Sequence, residues 1–379
     1  MQFKPVKTAI IGCGMISDTY LDNLKNKFSI IELVGCSDIV AEKSKKQAEK
    51  YGIKQMTNEE ILSSDEIELV VNLTYASAHY EVNKQILEAG KHCYSEKMMC
   101  LTIEQADELN RIRKEKGVNF AVAPDTFLGA SQQTARYIVD RGLIGEPISA
   151  VVNLSRGYHM IKTTEEDAYR KYSVMCEGGG IPYDMGGYYL HELFNICGPV
   201  ESVCGYAFTR NAQREYLNPR NEKFNEKFTV TTPNTICASM KFRNNMVCSF
   251  NISSEYTAYS EQFEIRGSEG ILYLGDPNVF DGKIYIQKGT EKTEFPISHP
   301  YSSSSRGIGA ADIAWAIRTN RPPRLSFEMG YHALQVINAV CECTADKKVK
   351  TFDTFFERPK PISSEYYCGG SEERNLFLY

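Results

Sequence analysis

The sequence predicts an α/β protein with an N-terminal doubly wound parallel sheet and a C-terminal α+β domain whose large sheet is mostly antiparallel. Residues 7–123 alternate short apolar runs with amphipathic stretches, which is typical of βαβ units. A glycine-rich turn follows the first apolar run, where such folds place a ligand. After Pro124 a helical stretch gives way to strands of alternating polarity. We therefore predict two domains, residues 1–124 and residues 125–379.

The composition is that of a packed globular protein. Of its 379 residues 42% are apolar and 24% are charged, which are ordinary proportions. The net charge is −5 and no basic tract interrupts the mixture, which argues against nucleic acid as a partner. The longest apolar stretches, Thr8–Ile16 and Ile67–Leu73, are shorter than the roughly 18 residues that a membrane span requires. We expect no contact with a membrane.

Twelve cysteines are scattered singly along the chain, with one C-x-C pair at Cys341 and Cys343. This spacing matches neither a disulfide framework nor the paired ligands of a zinc site. We expect reduced thiols in a cytoplasmic protein, and no metal.

Five strands are predicted in the first half, each at a short apolar run: Thr8–Ile11, Ile30–Cys36, Glu68–Leu73, His92–Tyr94 and Val118–Val122. Helices fill the stretches between them. The helix predicted over Thr102–Lys116 has the clearest ends, because Thr102 and Gln105 form a capping box and Gly117 stops it. These end signals agree with the apolar periodicity.

The second half begins with a predicted helix over Gln132–Asp140 and a strand that starts at Ile148. A further strand, Met246–Ile252, follows the turn at residues 243–245. Alternating polarity in such strands indicates a sheet with one covered face and one open face.

The first predicted strand runs into the motif G-x-G-x-x-S, formed by Gly12, Gly14 and Ser17 with Met15 and Ile16 between them. Gly12 permits a tight turn, Gly14 lets the backbone approach a pyrophosphate, and the small Ser17 allows close packing of helix on sheet. The following helix offers free N–H groups and the positive end of its dipole. The motif predicts a dinucleotide site in a Rossmann domain.

An acid stands where a dinucleotide site needs one. Asp38 ends the second strand, 21 residues beyond Ser17, where its carboxylate can accept hydrogen bonds from the adenosine ribose. The same carboxylate repels a 2′-phosphate, and Ile39 and Val40 follow it instead of an arginine. We therefore predict NAD, with NADP disfavoured. The alternative is that the glycines only turn the chain and Asp38 only caps a helix.

Polar residues follow the third and fourth strands at the same carboxyl edge. Thr74 and His79 follow the third strand and are candidate cofactor contacts, although a capping role suits His79 equally well. Glu96 and Lys97 follow the fourth strand. Near a nicotinamide cation, a partly desolvated Lys97 would lose part of its preference for the charged form and could exchange a proton with an alcohol. Taken in isolation, a surface lysine would be the simpler interpretation.

The glycine motif, Asp38, the segment Ala89–His92 leading into Glu96 and Lys97, and the segment Gly178–His191 together resemble the Gfo/Idh/MocA oxidoreductases, named after glucose–fructose oxidoreductase and inositol dehydrogenase. The similarity runs from about residue 7 to about residue 345. It implies an enzyme that binds NAD.

Two catalytic motifs come with this resemblance. The family's E-K-P motif, whose lysine contacts the reacting hydroxyl, is present as Glu96, Lys97 and Met98, with methionine in place of proline. The second motif is an acid, a His or Tyr four residues later and a polar group three further, here Asp184, Tyr188 and His191. The tyrosine is similar to the branch that includes glucose–fructose oxidoreductase and dihydrodiol dehydrogenases.

On a helix, at roughly 100° per residue, Asp184, Tyr188 and His191 fall within about 60° of arc and can face one cavity. The base that takes the alcohol proton is either His191 or a Tyr188 hydroxyl made more acidic by Lys97, and the residues leave this choice open. Asp184 orients one of these groups or binds a substrate hydroxyl. The alternative is a core aromatic and a buried, satisfied histidine.

Four further residues are candidate substrate contacts: Asp125 at the seam between the halves, and Arg156, Tyr158 and His159 at the end of the strand from Ile148. Surface roles suit them equally well. His299, Arg306 and His332 also lie in stretches similar to the family, and we expect a structural role for His332.

The resemblance implies a dehydrogenase acting on CH–OH of a sugar or glycoside, with the 3-hydroxyl of a glucosyl group as one candidate position. A dihydrodiol or imine substrate is the alternative within the family, and a non-catalytic NAD-binding regulator is the alternative outside enzymes, given the departure at Met98. The resemblance also implies a homo-oligomer that pairs through the exposed face of the second sheet.

Overall fold

The computed structural model describes residues 3–157, 178–216, 219, 223–256, 258–364 and 377. Two of the candidate substrate contacts, Tyr158 and His159, lie outside these residues.

The first half forms a six-stranded parallel sheet with the strand order β3-β2-β1-β4-β5-β6. All five predicted strands are confirmed, with ends shifted by one or two residues. The sheet also has a sixth strand, β3, which sequence analysis missed because it has only two residues, both exposed. The strands are β1 (Val6–Ile11), β2 (Ile31–Ser37), β3 (Lys54–Gln55), β4 (Leu69–Asn72), β5 (His92–Ser95) and β6 (Phe120–Val122).

The register brings the carboxyl ends of these strands to one level. Ile11 pairs with Ser37 and with Asn72, and Asn72 pairs with Ser95. The residues that come next in each strand therefore leave the sheet at the same edge. Doubly wound sheets with this strand order bind nucleotides at the carboxyl ends of their strands.

Five helices connect these strands: α1 (Ser17–Asn26), α2 (Ala41–Tyr51), α3 (Asn58–Ser63), α4 (Ala76–Glu88) and α5 (Ile103–Lys116). The capping box predicted for α5 is confirmed. The Thr102 hydroxyl accepts from the Gln105 N–H at 3.3 Å, and the Gln105 side chain accepts from the Thr102 N–H at 3.3 Å. Gly117 ends the helix in the left-handed region, at φ 65°.

The second half is built on a nine-stranded sheet in which β7 and β12 are parallel and the other neighbours are antiparallel. Its order is β16-β15-β14-β13-β7-β12-β11-β8-β17, and β9 and β10 form a separate pair. The predicted large, mostly antiparallel sheet is confirmed. The strands are β7 (Pro147–Ser155), β8 (Val200–Phe208), β9 (Gln213–Glu215), β10 (Lys227–Thr229), β11 (Thr235–Phe242), β12 (Val247–Ser253), β13 (Ser260–Gly267), β14 (Ile271–Leu274), β15 (Ile284–Lys288), β16 (Glu291–Phe295) and β17 (Lys350–Thr351).

The helices of this half include α6 (Ala130–Asp140), α7 (Ile181–Asp184), α8 (Gly186–Cys197), α9 (Ile308–Thr319) and α10 (Phe327–Asp346). The last two return to the first half, where α9 packs on β5 and β6 and α10 packs on β6 and α5. Arg318 of α9 donates to both carboxylate oxygens of Glu68, at 2.6 and 2.8 Å. The proposed boundary after Pro124 thus follows the last parallel strand, while later helices rejoin the parallel sheet.

Among the residues that the structure describes, no helix has the length and apolar composition to cross a membrane.

Candidate active site

The glycine loop between β1 and α1 is shaped by close contact with the chain after β4. Gly12 has φ 104°, and a Cβ built on it would lie 2.7 Å from the carbonyl carbon of Leu73 and 2.8 Å from the amide nitrogen of Thr74. Only glycine fits there. A Cβ on Gly14, by contrast, would meet nothing within 4 Å. The space above Gly14 is open to a ligand.

Asp38 ties this loop to the end of β2. Its Oδ2 accepts from the Cys13 N–H at 2.7 Å, and its Oδ1 accepts from the Val40 N–H at 2.8 Å. The buried Ser17 hydroxyl donates to the Gly14 carbonyl at 2.6 Å. The carboxylate is therefore held beside the open space of the glycine loop.

Apolar side chains stand exposed around the same edge. Met15 is 52% exposed, Val40 47% and Tyr75 46%, while Ile39 is fully exposed. Ile16 is half-buried directly before α1. Clustered exposure of this kind marks a ligand surface more often than a solvated one. Together with the open cradle at Gly14 and the fixed carboxylate, it fits a dinucleotide.

His79 links the loops that follow β4 and β5. Its Nδ1 lies 2.7 Å from the Met98 carbonyl and its Nε2 lies 2.9 Å from the Thr74 carbonyl, and the residue is 1% exposed. Burial lowers its pKa, against the effect of the two carbonyls. Thr74 is fixed from the other side, since its hydroxyl donates to Asn72 at 2.6 Å. The structure thus places His79 beneath the loops and not on the open surface of the predicted nicotinamide pocket.

Lys97 lies in a cage of acids and an aromatic ring. Its Nζ is 3.4 Å from Asp184 Oδ1, 3.8 Å from Glu96 Oε2 and 5.1 Å from the centre of the Tyr188 ring. Burial by itself would lower the pKa of Lys97, but Tyr188, Asp184 and Glu96 outweigh it and raise the pKa above its ordinary value. This corrects the expectation that Lys97 loses part of its preference for the charged form. In this cage it is held as an ammonium.

Glu96 is itself held from two sides. The Tyr20 hydroxyl donates to Glu96 Oε1 at 2.6 Å, and the Lys97 backbone N–H donates to Oε2 at 3.2 Å. Burial would raise the pKa of this carboxyl, but Lys97, Arg306 and the Tyr20 hydroxyl bring it below its ordinary value. Tyr20 belongs to the apolar side of α1, and nothing in the sequence around it indicates that its hydroxyl meets Glu96, 76 residues away.

Arg306 reaches the same cluster from the loop before α9. Its Nη1 donates to the Tyr188 hydroxyl oxygen at 3.0 Å, and its Nη2 donates to Asn278 Oδ1 at 2.9 Å. Sequence analysis noted Arg306 only as lying in a stretch similar to the family, and it did not find Asn278. Arg306 and Tyr188 are 118 residues apart in the sequence, so no local sequence pattern could predict that they are in contact.

The helix that carries Asp184, Tyr188 and His191 is interrupted at Met185, between α7 and α8. The Tyr188 N–H bonds to the Met185 carbonyl at 3.0 Å, three residues back. Asp184 and Tyr188 reach Lys97. His191 turns away from it.

His191 is 1% exposed and packs between Phe127 and Phe194, with ring centres 6.4 and 6.1 Å away. Its Nδ1 donates to the Gly187 carbonyl at 2.8 Å, and its Nε2 has no hydrogen-bond partner among the described residues. Burial lowers its pKa to about 4. The structure therefore differs from the prediction that all three side chains face one cavity, and it holds His191 neutral inside an apolar layer.

The candidate substrate contacts lie at different depths. Asp125 is fully buried, and its Oδ2 accepts from the N–H groups of Gly307 and Gly309 at 2.7 and 3.2 Å. It fixes the start of α9, next to Arg306, and has no exposed surface toward a substrate. Arg156, at the end of β7, has its Nη1 2.9 Å from the sulfur of Met185, and so it borders the turn between Asp184 and Tyr188.

The arrangement suits proton exchange with a bound hydroxyl group. Lys97 offers a fixed positive charge, Asp184 a carboxylate and Tyr188 a hydroxyl whose oxygen already accepts from Arg306. These groups stand at the carboxyl edge of the sheet that carries the glycine loop. A ligand spanning this edge would contact both.

Two family models match the chain, one in each half. Residues 6–123 match a model described as an oxidoreductase family with an NAD-binding Rossmann fold. Residues 132–273 match the GFO/IDH/MocA C-terminal domain.

Individual relatives are more distant. An uncharacterized oxidoreductase of Synechocystis sp. is 30% identical over 230 residues, which are 59% of this chain and 58% of that protein. The chain thus spans a little over half the length of that relative. A scyllo-inositol 2-dehydrogenase (NADP(+)) of Bacillus subtilis is 22% identical over 359 residues, 90% of this chain and 95% of that protein.

The solved structure of levoglucosan dehydrogenase in complex with NADH and L-sorbose shares the fold, with a TM-score of 0.78 at 18% identity over 92% of this chain and 99% of that one. Because the two family models match both halves of the chain, and the glycine loop and sheet order agree with them, the protein belongs to the Gfo/Idh/MocA oxidoreductase family and its first half is an NAD-binding Rossmann fold.

Proposed function

We propose that the protein is an NAD-dependent oxidoreductase that transfers a hydride between nicotinamide and a hydroxyl-bearing carbon of a sugar, polyol or glycoside. The observation that carries the proposal is the cluster of Lys97, Tyr188 and Arg306 at the edge of the sheet that ends in the glycine loop. Two of the relatives named above support this proposal, since one is a scyllo-inositol dehydrogenase and the other a levoglucosan dehydrogenase.

Gly12, Gly14 and Asp38 would hold the dinucleotide, with Met15 and Ile16 at the start of α1 beside it. When bound, the cofactor supplies the hydride acceptor. The carboxylate of Asp38, fixed by two backbone N–H groups, favours ribose hydroxyls over a 2′-phosphate. This supports NAD over NADP, in contrast to the NADP(+) enzyme of Bacillus subtilis.

Lys97 binds and polarises the reacting hydroxyl as a cation, because Tyr188, Asp184 and Glu96 raise its pKa. Tyr188 exchanges the proton. Lys97, with its Nζ 5.1 Å from the ring centre, and Arg306, which donates to the hydroxyl oxygen, carry positive charge that can balance negative charge on this oxygen. His191 supports the helix from the apolar side and takes no part in the exchange.

Asp184 orients Lys97 and offers a carboxylate to a second hydroxyl of the substrate. Arg156, directly after β7, borders the turn at Met185 and can contact a more distant part of the substrate. The charged groups of Lys97, Asp184 and Arg306 lie around the aromatic ring of Tyr188. Such a surface suits a polyhydroxylated ligand better than a hydrocarbon. Within this class we propose the 3-hydroxyl of a glucoside as the first position to test.

We also propose that two copies pair through the open face of the nine-stranded sheet. On that face Tyr206 of β8 and Val247 of β12 each expose more than half of their surface, and Phe208 of β8 exposes 44%. Size-exclusion chromatography with light scattering tests this, and a monomer at micromolar concentration would contradict it.

The test of the enzymatic proposal compares Tyr188→Phe with Tyr189→Phe. The first variant removes the hydroxyl bonded to Arg306, whereas the second removes a buried hydroxyl bonded to Glu261 on the opposite side. We expect Tyr188→Phe, and likewise Lys97→Ala, to lower kcat by about 10²- to 10⁴-fold. Tyr189→Phe should stay close to the wild type.

The measurement is NADH formation with a panel of glucosides, polyols and dihydrodiols, alongside titration of NADH binding by fluorescence. Wild-type kcat in Tyr188→Phe would contradict the assigned role. Absence of hydride transfer across the panel, despite NADH binding, would contradict the proposed reaction and favour a dinucleotide-binding regulator.

A further inference from the structure

Phe377, near the end of the sequence, is buried in a pocket formed by α9 and the loops on either side of it. It is 0% exposed, and its ring stacks on Trp315 with centres 6.3 Å apart and planes at 11°. Tyr301 borders the ring at 6.3 Å, and the guanidinium of Arg324 lies 5.8 Å from its centre. A fully buried aromatic ring with three aromatic or cationic neighbours is a specific anchor.

Arg324 ties this anchor to the segment before it. The residue is 5% exposed and its Nη1 bonds to the buried Asp312 at 2.8 Å. Its remaining donors reach the backbone carbonyls of Lys360 at 2.7 Å and Pro361 at 3.2 Å. One buried cation therefore holds the chain at two places around the pocket of Phe377.

Tyr301 connects the pocket to the loop that carries Arg306, which we call the Arg306 loop (residues 301–307). Tyr301 has φ 66°, in the left-handed region that a bulky side chain rarely adopts. Its ring lies between Phe28, at 6.1 Å, and Phe377. Packing on both sides is what can hold such a conformation.

The Arg306 loop is tied elsewhere as well. Asn23 of α1 donates to the Arg306 carbonyl at 2.8 Å, and Asp125 accepts from the Gly307 N–H at 2.7 Å. The side of the loop next to Tyr301 is held by the rings of Phe28 and Phe377 and by the Ala130 N–H, which donates to the Tyr301 carbonyl at 3.3 Å. Phe28 belongs to the Rossmann half, so Phe377 is the contact that comes from the far end of the chain.

We propose that Phe377 is a positioning residue: by docking against Trp315 and Tyr301 it holds the Arg306 loop, and through it the guanidinium that bonds to Tyr188. This inference rests on the proposed function for its effect on rate. The docking itself and the ordering of the loop do not depend on that function.

The experiment compares Phe377→Ala with Phe355→Ala in the full chain, because Phe355 is a phenylalanine of the same final segment that is 63% exposed. Trp315 is the single tryptophan, 3% exposed, so its emission reports the pocket directly. We expect a red shift in Phe377→Ala and none in Phe355→Ala. Phe377→Leu, which keeps an apolar side chain, should shift less and guards against a folding defect.

Two further measurements separate positioning from simple support. Hydrogen exchange at the Gly307 amide should be on the order of tenfold faster in Phe377→Ala. With an active substrate, kcat should fall about tenfold or more while NADH affinity stays unchanged. In an Arg306→Leu background, Phe377→Ala should lower kcat no further, because the guanidinium it positions is already gone.

Unchanged Trp315 emission would overturn the docking. A red shift with unchanged Gly307 exchange, or additive losses of kcat in the double variant, would overturn the positioning role. If the wild type transferred no hydride to any substrate, the proposed function would fail, and emission together with Gly307 exchange would still decide this inference.

Discussion

The glycine loop and the Lys97 cluster lie at the same edge of the parallel sheet, yet the chain builds them in opposite ways. The side-chain hydrogen bonds of the glycine loop stay within one βαβ unit, the one from Cys13 to Asp38 spanning 25 residues, and only the backbone contact of Gly12 with Leu73 reaches beyond it. The Lys97 cluster, which consists of Lys97, Asp184, Tyr188 and Arg306, collects side chains from the loop after β5, from α7 and α8, and from the Arg306 loop. Tyr188 and Arg306 are 118 residues apart. A site made from one local unit leaves a readable spacing, while a site made by packing does not.

The largest expected effect breaks the local site. Gly12→Ala places a Cβ 2.7 Å from the Leu73 backbone at a φ of 104°, and the neighbouring β1–β4 pairing cannot give way cheaply. We expect a loss of roughly 3 kcal/mol of unfolding free energy and loss of NADH binding. Urea unfolding and NADH fluorescence measure both.

Gly14→Ala is the matched control. Its Cβ would meet nothing in the protein, so the fold should keep its stability while NADH binds more weakly, because the new methyl group enters the space above the loop. If Gly12→Ala unfolded at the wild-type urea concentration and bound NADH normally, the description of the loop would be wrong.

A smaller effect tests which side of the helix takes part in the chemistry. Burial lowers the pKa of His191 to about 4, against 6.5 in the unfolded chain, so the unfolded state binds the proton first as the pH falls. Stability contributed by neutral His191 is therefore complete above pH 6.5 and is lost between pH 6.5 and 4. From pH 7 to pH 5 this amounts to about 2 kcal/mol.

Between pH 7 and pH 5 the free energy of unfolding of His191→Phe should fall by about 2 kcal/mol less than that of the wild type. Urea unfolding at the two pH values measures this difference. The half-buried His92 and the buried His332 also have a pKa lowered to about 4 and should leave part of the acid sensitivity in place. The variant should keep kcat at pH 7 within about twofold. A hundredfold loss would instead assign the proton exchange to His191.

The smallest effect sharpens the cofactor assignment. Asp38→Ala removes the acceptor of the Cys13 and Val40 N–H groups together with its charge. We expect the Kd for NAD to rise about tenfold, which is a loss of about 1.4 kcal/mol of binding free energy. The ratio of the affinities for NAD and NADP should fall as well. Glu42→Ala, an exposed acid on α2, controls for the change in net charge. Equal Kd values for NAD in Asp38→Ala and the wild type would contradict the assignment.

The sequence was most informative where structure is local. Five strands of the parallel sheet and both ends of α5 follow from apolar runs, the Thr102 and Gln105 capping box and Gly117. The two-residue strand β3 has no such pattern. The interruption at Met185 was missed because Asp184, Tyr188 and His191 were placed on one continuous helix, although Gly186 and Gly187, which disfavour a helix, directly follow Met185.

The sequence by itself determined the type of fold, the glycine loop with its acid and the place of Lys97 at the carboxyl edge of the sheet, and its resemblance to the family singled out Asp184 and Tyr188. Only the tertiary structure decided that Arg306 bonds to Tyr188, that Tyr20 holds Glu96, that Asp125 supports a loop and that His191 is buried in an apolar layer. The physical reason is the range of the forces. Backbone preferences and periodicity act over a few residues, whereas burial and charge pairing depend on which distant segments the packed core brings together.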